Sequence, residues 1–88
     1  MTWTIEYSRD ADRFIQVEGI QGEVNKQIQG FLRKLMGEPI NIDVKKLKGE
    51  WKGYYRIRKG RLRIIFSIGT SHRSIYVERI DFRGDAYK

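Results

Sequence analysis

The residues best suited to chemistry in this sequence are four closely spaced arginines, Arg56, Arg58, Arg61 and Arg63. A guanidinium group binds two phosphate oxygens at once and keeps its charge at every physiological pH. No Asp or Glu lies between Gly53 and Gly69 to compensate these charges. The stretch therefore predicts that the compensating anion is a bound ligand. The alternative is a solvated hairpin whose charges discourage aggregation.

Two alternating runs must position these arginines. They are Tyr54-Tyr55-Arg56-Ile57-Arg58 and Arg61-Leu62-Arg63-Ile64-Ile65-Phe66-Ser67-Ile68. Together they predict a hairpin around Lys59-Gly60. With a two-residue turn at Lys59-Gly60, Arg58 faces Arg61 and Arg56 faces Arg63. A longer turn with a bulge is the alternative register, because lysine is poorly suited to a positive φ.

The predicted hairpin has one apolar and one polar face, since side chains alternate along a strand. The apolar face, which helices are expected to cover, comprises Trp51, Tyr55, Ile57, Leu62, Ile64, Phe66 and Ile68. The polar face comprises Tyr54, Arg56, Arg58, Arg61 and Arg63. Opposed like charges destabilise a sheet by roughly 0.2–1 kcal/mol per pair, and this again favours an anionic ligand.

Two helices are predicted before the hairpin. Ser8 is a suitable N-cap for the first, which is expected to end near Gly19. The second has apolar residues at steps of three and four, namely Val24, Ile28, Phe31, Leu32, Leu35 and Met36. Gly37 and Pro39 are expected to stop it. These apolar stripes are interpreted as core.

The remaining elements are strands. Trp3–Tyr7 alternates as a half-buried strand does, and Ser74–Phe82 predicts a last strand. The apolar phase slips between Val77 and Ile80, so the pattern leaves open which face Arg79 occupies. The predicted fold is a single α+β domain over residues 1–88: an N-terminal strand, two helices, then a three-stranded antiparallel meander, with the helices packed on one face of the sheet.

Composition narrows the classes of partner. The 88 residues carry a formal net charge of +7, which points to nucleic acid, an anionic membrane surface or an acidic protein. The absence of cysteine excludes disulfides and thiolate metal sites, and a lone His72 cannot build a zinc site by itself. No cofactor or metal is expected. No bilayer-length apolar run or signal peptide is present, so a cytoplasmic protein is expected.

The sequence leaves the group that would transfer protons open. His72 lies in a polar stretch typical of an exposed turn, which argues against catalysis there. Glu50 with Glu78 or Asp81 could supply proton transfer, but nothing in the spacing brings these carboxylates together.

Four motifs, taken in order, resemble the RelE/ParE toxin superfamily over nearly the whole chain. They are Lys46-Leu47-Lys48-Gly49, Tyr55-Arg56-Ile57-Arg58, Gly60-Arg61-Leu62-Arg63-Ile64-Ile65-Phe66 and Asp81-Phe82-Arg83-Gly84-Asp85-Ala86-Tyr87. Each motif is short, but their order and spacing together are specific. The resemblance implies a toxin of a type II toxin–antitoxin system, and more particularly a RelE-type mRNA interferase that cleaves messenger RNA in the ribosomal A site.

In RelE-type nucleases this resemblance implies a set of catalytic positions, which fall on Arg56, Arg58, Arg63, Arg83 and Tyr87. The implied reaction is attack of the substrate's own 2′-hydroxyl on the adjacent phosphorus, without metal or protein nucleophile. Arg63 and Arg83 would stabilise the phosphorane charge. Tyr87 would stack on a base or exchange a proton, unless it is a hydrophobic plug over the sheet. Well-studied members of the family have lysines where this chain has Arg56 and Arg58, and arginine is poorly suited to exchanging protons.

The residues expected to bind RNA are Lys45, Lys46, Lys48, Lys52, Tyr54 and Arg61. A basic run of this kind can equally be a solvated surface loop. The partners implied by the resemblance are a cognate acidic antitoxin, the ribosome and mRNA, with no membrane and no small-molecule cofactor. Two other functions stay open: a ParE-like inhibitor that binds DNA gyrase, and a nucleic-acid-binding module in which Tyr54 and Tyr87 stack on bases.

Overall fold

The computed structural model describes residues 2–82. In chain order the elements are β1 (Thr4–Tyr7), α1 (Arg9–Glu18), α2 (Gln21–Leu35), β2 (Asp43–Lys46), a 3-10 turn (Gly49–Trp51), β3 (Tyr54–Lys59), β4 (Leu62–Gly69) and β5 (Ser74–Phe82). The predicted α+β class is confirmed, with both helices on one face of the sheet.

The five strands form one sheet in the order β1-β5-β4-β3-β2. β1 pairs with β5 in parallel, and the other neighbouring strands are antiparallel. β2, at one edge, is a strand that the sequence did not predict. Its residues were interpreted as the start of a basic loop, whereas Lys45 and Lys46 pair with Arg56 and Tyr55 of β3.

The helix ends lie where the sequence placed them. The Ser8 hydroxyl accepts a hydrogen bond from the backbone N–H of Ala11 at 3.0 Å and caps α1. Gly19 ends α1 with a φ of 66°, a left-handed conformation that favours glycine. Gly37, which follows α2, has a φ of 96°. These three residues set the lengths of the helices and hence which part of the sheet they cover.

The core lies between the helices and one face of the sheet. Its fully buried members come from α1, α2, β3, β4 and β5 and include Ile15, Ile28, Ile57, Ile64, Phe66 and Val77. Phe66 packs against Phe31 of α2 with ring centroids 4.9 Å apart and stacks on Tyr55 at 5.7 Å. The predicted apolar faces of α2 and of the hairpin are therefore the faces that meet. The exceptions are Leu35 and Met36, which were expected in the core but are exposed at the C-terminal end of α2.

The predicted register of the hairpin is wrong. Arg58 pairs with Arg63 rather than Arg61, and Arg56 pairs with Ile65 rather than Arg63. The two-residue turn is Gly60-Arg61, because Lys59 pairs with Leu62 and Gly60 has a φ of 60°. A glycine at the first central position fits a type II′ turn, whereas the predicted turn put a lysine there. The shift keeps every strand residue on its predicted face but moves Arg61 into the turn.

A β-bulge explains the slip in apolar phase along β5. Ile65 pairs with Arg79 while the next residue, Phe66, pairs with Val77, so Glu78 is the additional residue. Val77 and Ile80 are consequently both buried against the helices. Arg79 lies on the opposite face of the sheet.

None of the helices within residues 2–82 is long and apolar enough to cross a membrane.

Candidate nucleic-acid interface

The sheet face that points away from the helices is termed the outer face. Cross-strand register places two rows of side chains on it. One row consists of Asp43, Arg58, Arg63 and Asp81, and the next of Lys45, Arg56, Ile65 and Arg79.

 The two rows thus hold five basic side chains, two acidic ones and one isoleucine.

Asp43 supplies an anion that the sequence analysis did not find. Its Oδ1 accepts a hydrogen bond from the Arg56 guanidinium at 2.8 Å, and its Oδ2 lies 3.4 Å from Nε of Arg58. The prediction that the compensating anion of these two arginines is a ligand is therefore wrong for this pair. The carboxylate comes from β2, outside the stretch between Gly53 and Gly69 that contains no acidic residue.

Arg56 is the least accessible of the arginines on the outer face. Only 8% of the residue is exposed, and within residues 2–82 its Nε has no hydrogen-bond partner. A buried guanidinium needs a paired charge, which Asp43 provides. Arg58 differs, because half of its side chain is exposed although it shares the same carboxylate.

Arg63 is partly exposed, and its cross-strand neighbours on the outer face are Arg58 and Asp81. Its side chain donates a hydrogen bond to the carbonyl of Gly60 at 3.1 Å, one of the several donors that a guanidinium group has. Unlike Arg56, it is not buried. Arg63 is therefore the strand arginine best placed to donate to an external anion, although Asp81 supplies one negative charge beside it.

Arg61 and the lysines are distributed over several surfaces. Arg61 is exposed in the turn rather than on a strand. Lys45 lies on the outer face opposite Arg56. Lys46, Lys48 and Lys52 line a cavity of about 490 Å³ that also contains Leu47, Tyr54 and Tyr55. This cavity combines an apolar, aromatic wall with several ammonium groups.

Tyr54 connects the lysine-lined cavity to the outer face. Its ring makes an edge contact with Trp51, with centroids 5.3 Å apart. Burial of its hydroxyl, together with the charge of Glu78 and a hydrogen bond to it, raises the pKa of Tyr54 above its ordinary value near 10, and Tyr76 adds to the effect. The phenol is therefore a neutral hydrogen-bond donor at physiological pH.

The raised pKa of Tyr54 predicts that stability depends on pH in the alkaline range. Since folding raises the pKa, the neutral phenol contributes stability that is fully present below about pH 10 and is lost as the pH rises through the folded-state pKa. We expect the difference in ultraviolet absorbance between wild type and Tyr54→Phe to titrate with a midpoint above 10. Glu78→Gln should lower that midpoint, because it removes the carboxylate. An unchanged midpoint in Glu78→Gln would contradict the assigned cause.

Two of the predicted catalytic residues, Arg83 and Tyr87, lie outside the described residues. His72 is exposed in the turn between β4 and β5, as its sequence context indicated. Within residues 2–82 no group of three or more His, Cys, Asp or Glu side chains is arranged to hold a metal ion. The site residues that sequence reasoning missed are Asp43 and Arg79. Recognition of β2 as a strand and of the bulge in β5 would have been needed to find them.

Comparison with known proteins rests on structure, because no protein-family model and no curated protein matches the chain. The chain is similar to a chain of the archaeal RelE-RelB complex from Pyrococcus horikoshii, with 26% identity over 98% of this chain and 100% of that one, and a TM-score of 0.61. It is also similar to a chain of the toxin-antitoxin complex RelBE2 from Mycobacterium tuberculosis, with 23% identity, coverage of 94% and 100%, and a TM-score of 0.61. A metal-bound toxin from Helicobacter pylori gives 19% identity, coverage of 96% and 98%, and a TM-score of 0.70.

These similarities cover nearly the whole of each chain, so the fold as a whole is shared. The chain therefore has the fold of these small α+β toxins. This similarity supports the resemblance to the RelE/ParE toxin superfamily that the sequence motifs indicated.

Proposed function

We propose that this protein is the toxin of a type II toxin–antitoxin system and an endoribonuclease that cleaves mRNA in the ribosomal A site, thereby inhibiting translation. The observation that carries the proposal is Arg63, a partly exposed guanidinium that lies between Arg58 and Asp81 on the outer face and donates to the carbonyl of Gly60. A phosphodiester accepts from its remaining donors. The similarity to chains from toxin–antitoxin complexes supports the same class of function.

The reaction needs fixed positive charge more than it needs a protein nucleophile. The 2′-hydroxyl of the substrate attacks the adjacent phosphorus, a 2′,3′-cyclic phosphate forms, and the 5′-oxygen leaves. Negative charge accumulates on the phosphorane oxygens, and guanidinium donors held in place stabilise it. Arg63 and Arg83 take this role, and Arg58 extends the cationic surface along the same row.

The other proposed residues bind or position the RNA. Lys46, Lys48 and Lys52, around their shared cavity, bind phosphates electrostatically. Lys45 and Arg61 extend this basic surface along β2 and the hairpin turn. Tyr54 presents an aromatic ring at the border of the same cavity, and Tyr87 stacks on a base or exchanges a proton.

Arg56 has a supporting role in this proposal. It is buried and bonded to Asp43, so it contributes positive charge beneath the site and holds β2 against β3. Its proposed catalytic contribution is electrostatic, since arginine keeps its proton at physiological pH.

The proposed partners follow from charge and reaction. A toxin with a net charge of +7 is matched by an acidic antitoxin. The ribosome and mRNA are the other partners, which places the protein in the cytoplasm.

The test is to add the purified protein to a translating extract and to map mRNA ends by primer extension. We expect cleavage in the A site and little or no cleavage of protein-free transcripts, because the ribosome supplies substrate orientation worth several kcal/mol. Efficient cleavage of free RNA would contradict the dependence on the ribosome. Intact mRNA on translating ribosomes would contradict the nuclease activity itself.

A second candidate is a ParE-like inhibitor that binds DNA gyrase. The burial of Arg56 against Asp43 favours it, because one of the implied catalytic side chains is then not presented to a substrate. A gyrase supercoiling assay run beside the extract distinguishes the two. Inhibited supercoiling with intact mRNA would select this candidate.

A further inference from the structure

The outer face holds two arginines side by side near the hairpin turn. Arg58 and Arg63 are cross-strand partners and form the second pair from the Gly60-Arg61 turn. In an antiparallel hairpin with a two-residue turn this pair is not hydrogen-bonded, so its Cα atoms are about 4.5 Å apart and its side chains are close together. Like charges placed directly opposite each other repel. Without other contacts the two guanidinium groups would therefore move apart.

Two different acceptors hold the two guanidinium groups. Nε of Arg58 lies 3.4 Å from Oδ2 of Asp43, the residue opposite it on β2. Nη1 of Arg63 donates to the carbonyl of Gly60 at 3.1 Å. Each of these contacts uses one nitrogen, and a guanidinium group has five N–H donors on three nitrogens. Neither contact therefore exhausts the donors that a phosphate group needs.

Asp43 is itself held in place by a buried partner. Its Oδ1 accepts the 2.8 Å hydrogen bond from Nη2 of Arg56, whose side chain is 10% exposed. The side chains of Asp43 and Arg58 are both half exposed. The carboxylate therefore joins a buried cation to a cation at the surface, and the surface cation takes its position from the buried one.

A cavity of about 640 Å³ adjoins these contacts and leaves space for a polyanion. Asp43 and Arg58 both line it, and the other charged residues of its described lining are Lys26, Arg33 and Lys59. A carboxylate among four cationic groups weakens the attraction of RNA to this surface. Asp43 therefore does not serve RNA binding through its charge, whereas its contact with Arg58 orients a donor.

We propose that Asp43 is a positioning residue for mRNA cleavage, which holds the Arg58 guanidinium beside Arg63 so that both arginines donate to the scissile phosphate. This inference rests on the proposed nuclease function. Asp43 touches no reacting atom and acts through Arg58. The negative charge that develops on the phosphorane oxygens then meets two preoriented guanidinium groups instead of one.

The test measures single-turnover cleavage on programmed ribosomes by Asp43→Asn, Arg58→Ala and the double variant. The amide of Asp43→Asn has one oxygen, which the shorter bond to buried Arg56 takes, so Arg58 loses its acceptor. The rate at saturating ribosomes should fall by up to about 10²-fold, the effect of a misplacement of about 1 Å. The ribosome concentration that gives half of the maximal rate should not rise, because the variant gains positive charge. Arg58→Ala should lower the rate about 10²- to 10³-fold, and Asp43→Asn should have no further effect in that background.

Glu18→Gln is the matched control, because it removes the same charge from the exposed surface of α1 and should cleave at the wild-type rate. A rate in Asp43→Asn equal to that of Glu18→Gln would overturn the proposal. So would a loss from Asp43→Asn that is as large in the Arg58→Ala background as in wild type, since Asp43 would then act through Arg56 or through stability.

Thermal melting of each variant accompanies the rates. If Asp43→Asn melts below the assay temperature, Asp43→Glu takes its place in the same comparison. It keeps both carboxylate oxygens but displaces them by one methylene group, so its loss of rate should also disappear in the Arg58→Ala background. If wild type cleaves and the Asp43 variants match it, the positioning role is wrong while the nuclease stands; if wild type does not cleave, both proposals fall.

Discussion

Arg63→Ala is expected to lower the rate of ribosomal mRNA cleavage about 10²- to 10³-fold, the usual effect of removing one preorganised donor to a developing negative charge. The fold should be unaffected, because the Arg63 side chain is partly exposed and its hydrogen bond within residues 2–82 goes to the carbonyl of Gly60. Its removal relieves the repulsion from Arg58 on one side and loses the attraction of Asp81 on the other, two small effects of opposite sign. The loss should therefore be found in catalysis and not in stability.

Arg13→Ala is the matched control for this prediction. Arg13 is exposed on α1, on the helical side of the sheet, so the substitution removes the same charge from a surface that the proposal does not use. Single-turnover rates on saturating ribosomes, together with thermal melting of each variant, make the comparison. If a folded Arg63→Ala cleaves as fast as Arg13→Ala, Arg63 is not part of the site.

The parts of the fold that the sequence predicted are those governed by local periodicity. The Ser8 cap, the end of α1 at Gly19 and the apolar stripe of α2 all depend on residues within a few positions of each other. The division of the hairpin into an apolar and a basic face was also correct, because alternation along a strand does not depend on which residue lies opposite.

Cross-strand partners were harder to predict, since they depend on the turn and on distant segments. Moving the turn from Lys59-Gly60 to Gly60-Arg61 changed the partners of Arg56, Arg58 and Arg63 without changing their face, and it took Arg61 off the strand. Asp43 was missed because β2 is a short edge strand whose lysines resemble a loop, and only pairing with β3 brings its carboxylate to Arg56. The hairpin itself contains no acidic residue, so its own sequence does not indicate this anion.

The bulge in β5 is another feature that the sequence predicted only in part. Its sequence signature, a slip between Val77 and Ile80, was visible, but a slip does not by itself indicate which residue is additional. The structure assigns the extra position to Glu78 and so brings a carboxylate to the basic face. Arg83 and Tyr87, outside the described residues, remain predictions from the family resemblance.

The largest effect on stability is expected at Phe66. The ring is fully buried at the centre of the core, in an edge contact with Phe31 and stacked on Tyr55. Phe66 therefore joins α2 to both strands of the hairpin that carries Arg58 and Arg63. Its backbone also pairs with Val77, immediately beside the bulge.

Phe66→Ala should lower the free energy of unfolding by about 3–5 kcal/mol, since it removes the buried ring and leaves a cavity that the neighbours fill only in part. The total free energy of unfolding of a native domain is about 5–15 kcal/mol, so the variant should be close to unfolding at 37 °C. Urea denaturation measures the change as a shift in midpoint at constant slope. Val17→Ala, at a side chain 74% exposed on α1, should change the midpoint little. A Phe66→Ala midpoint equal to that of Val17→Ala would mean that the core does not depend on this ring.

Phe66 lies on the core side of the sheet and supports the basic face from behind. Phe66→Leu, which keeps a large apolar side chain, should therefore recover stability relative to Phe66→Ala, and mRNA cleavage should recover in proportion. In Arg63→Ala, by contrast, a gain in stability should not restore cleavage.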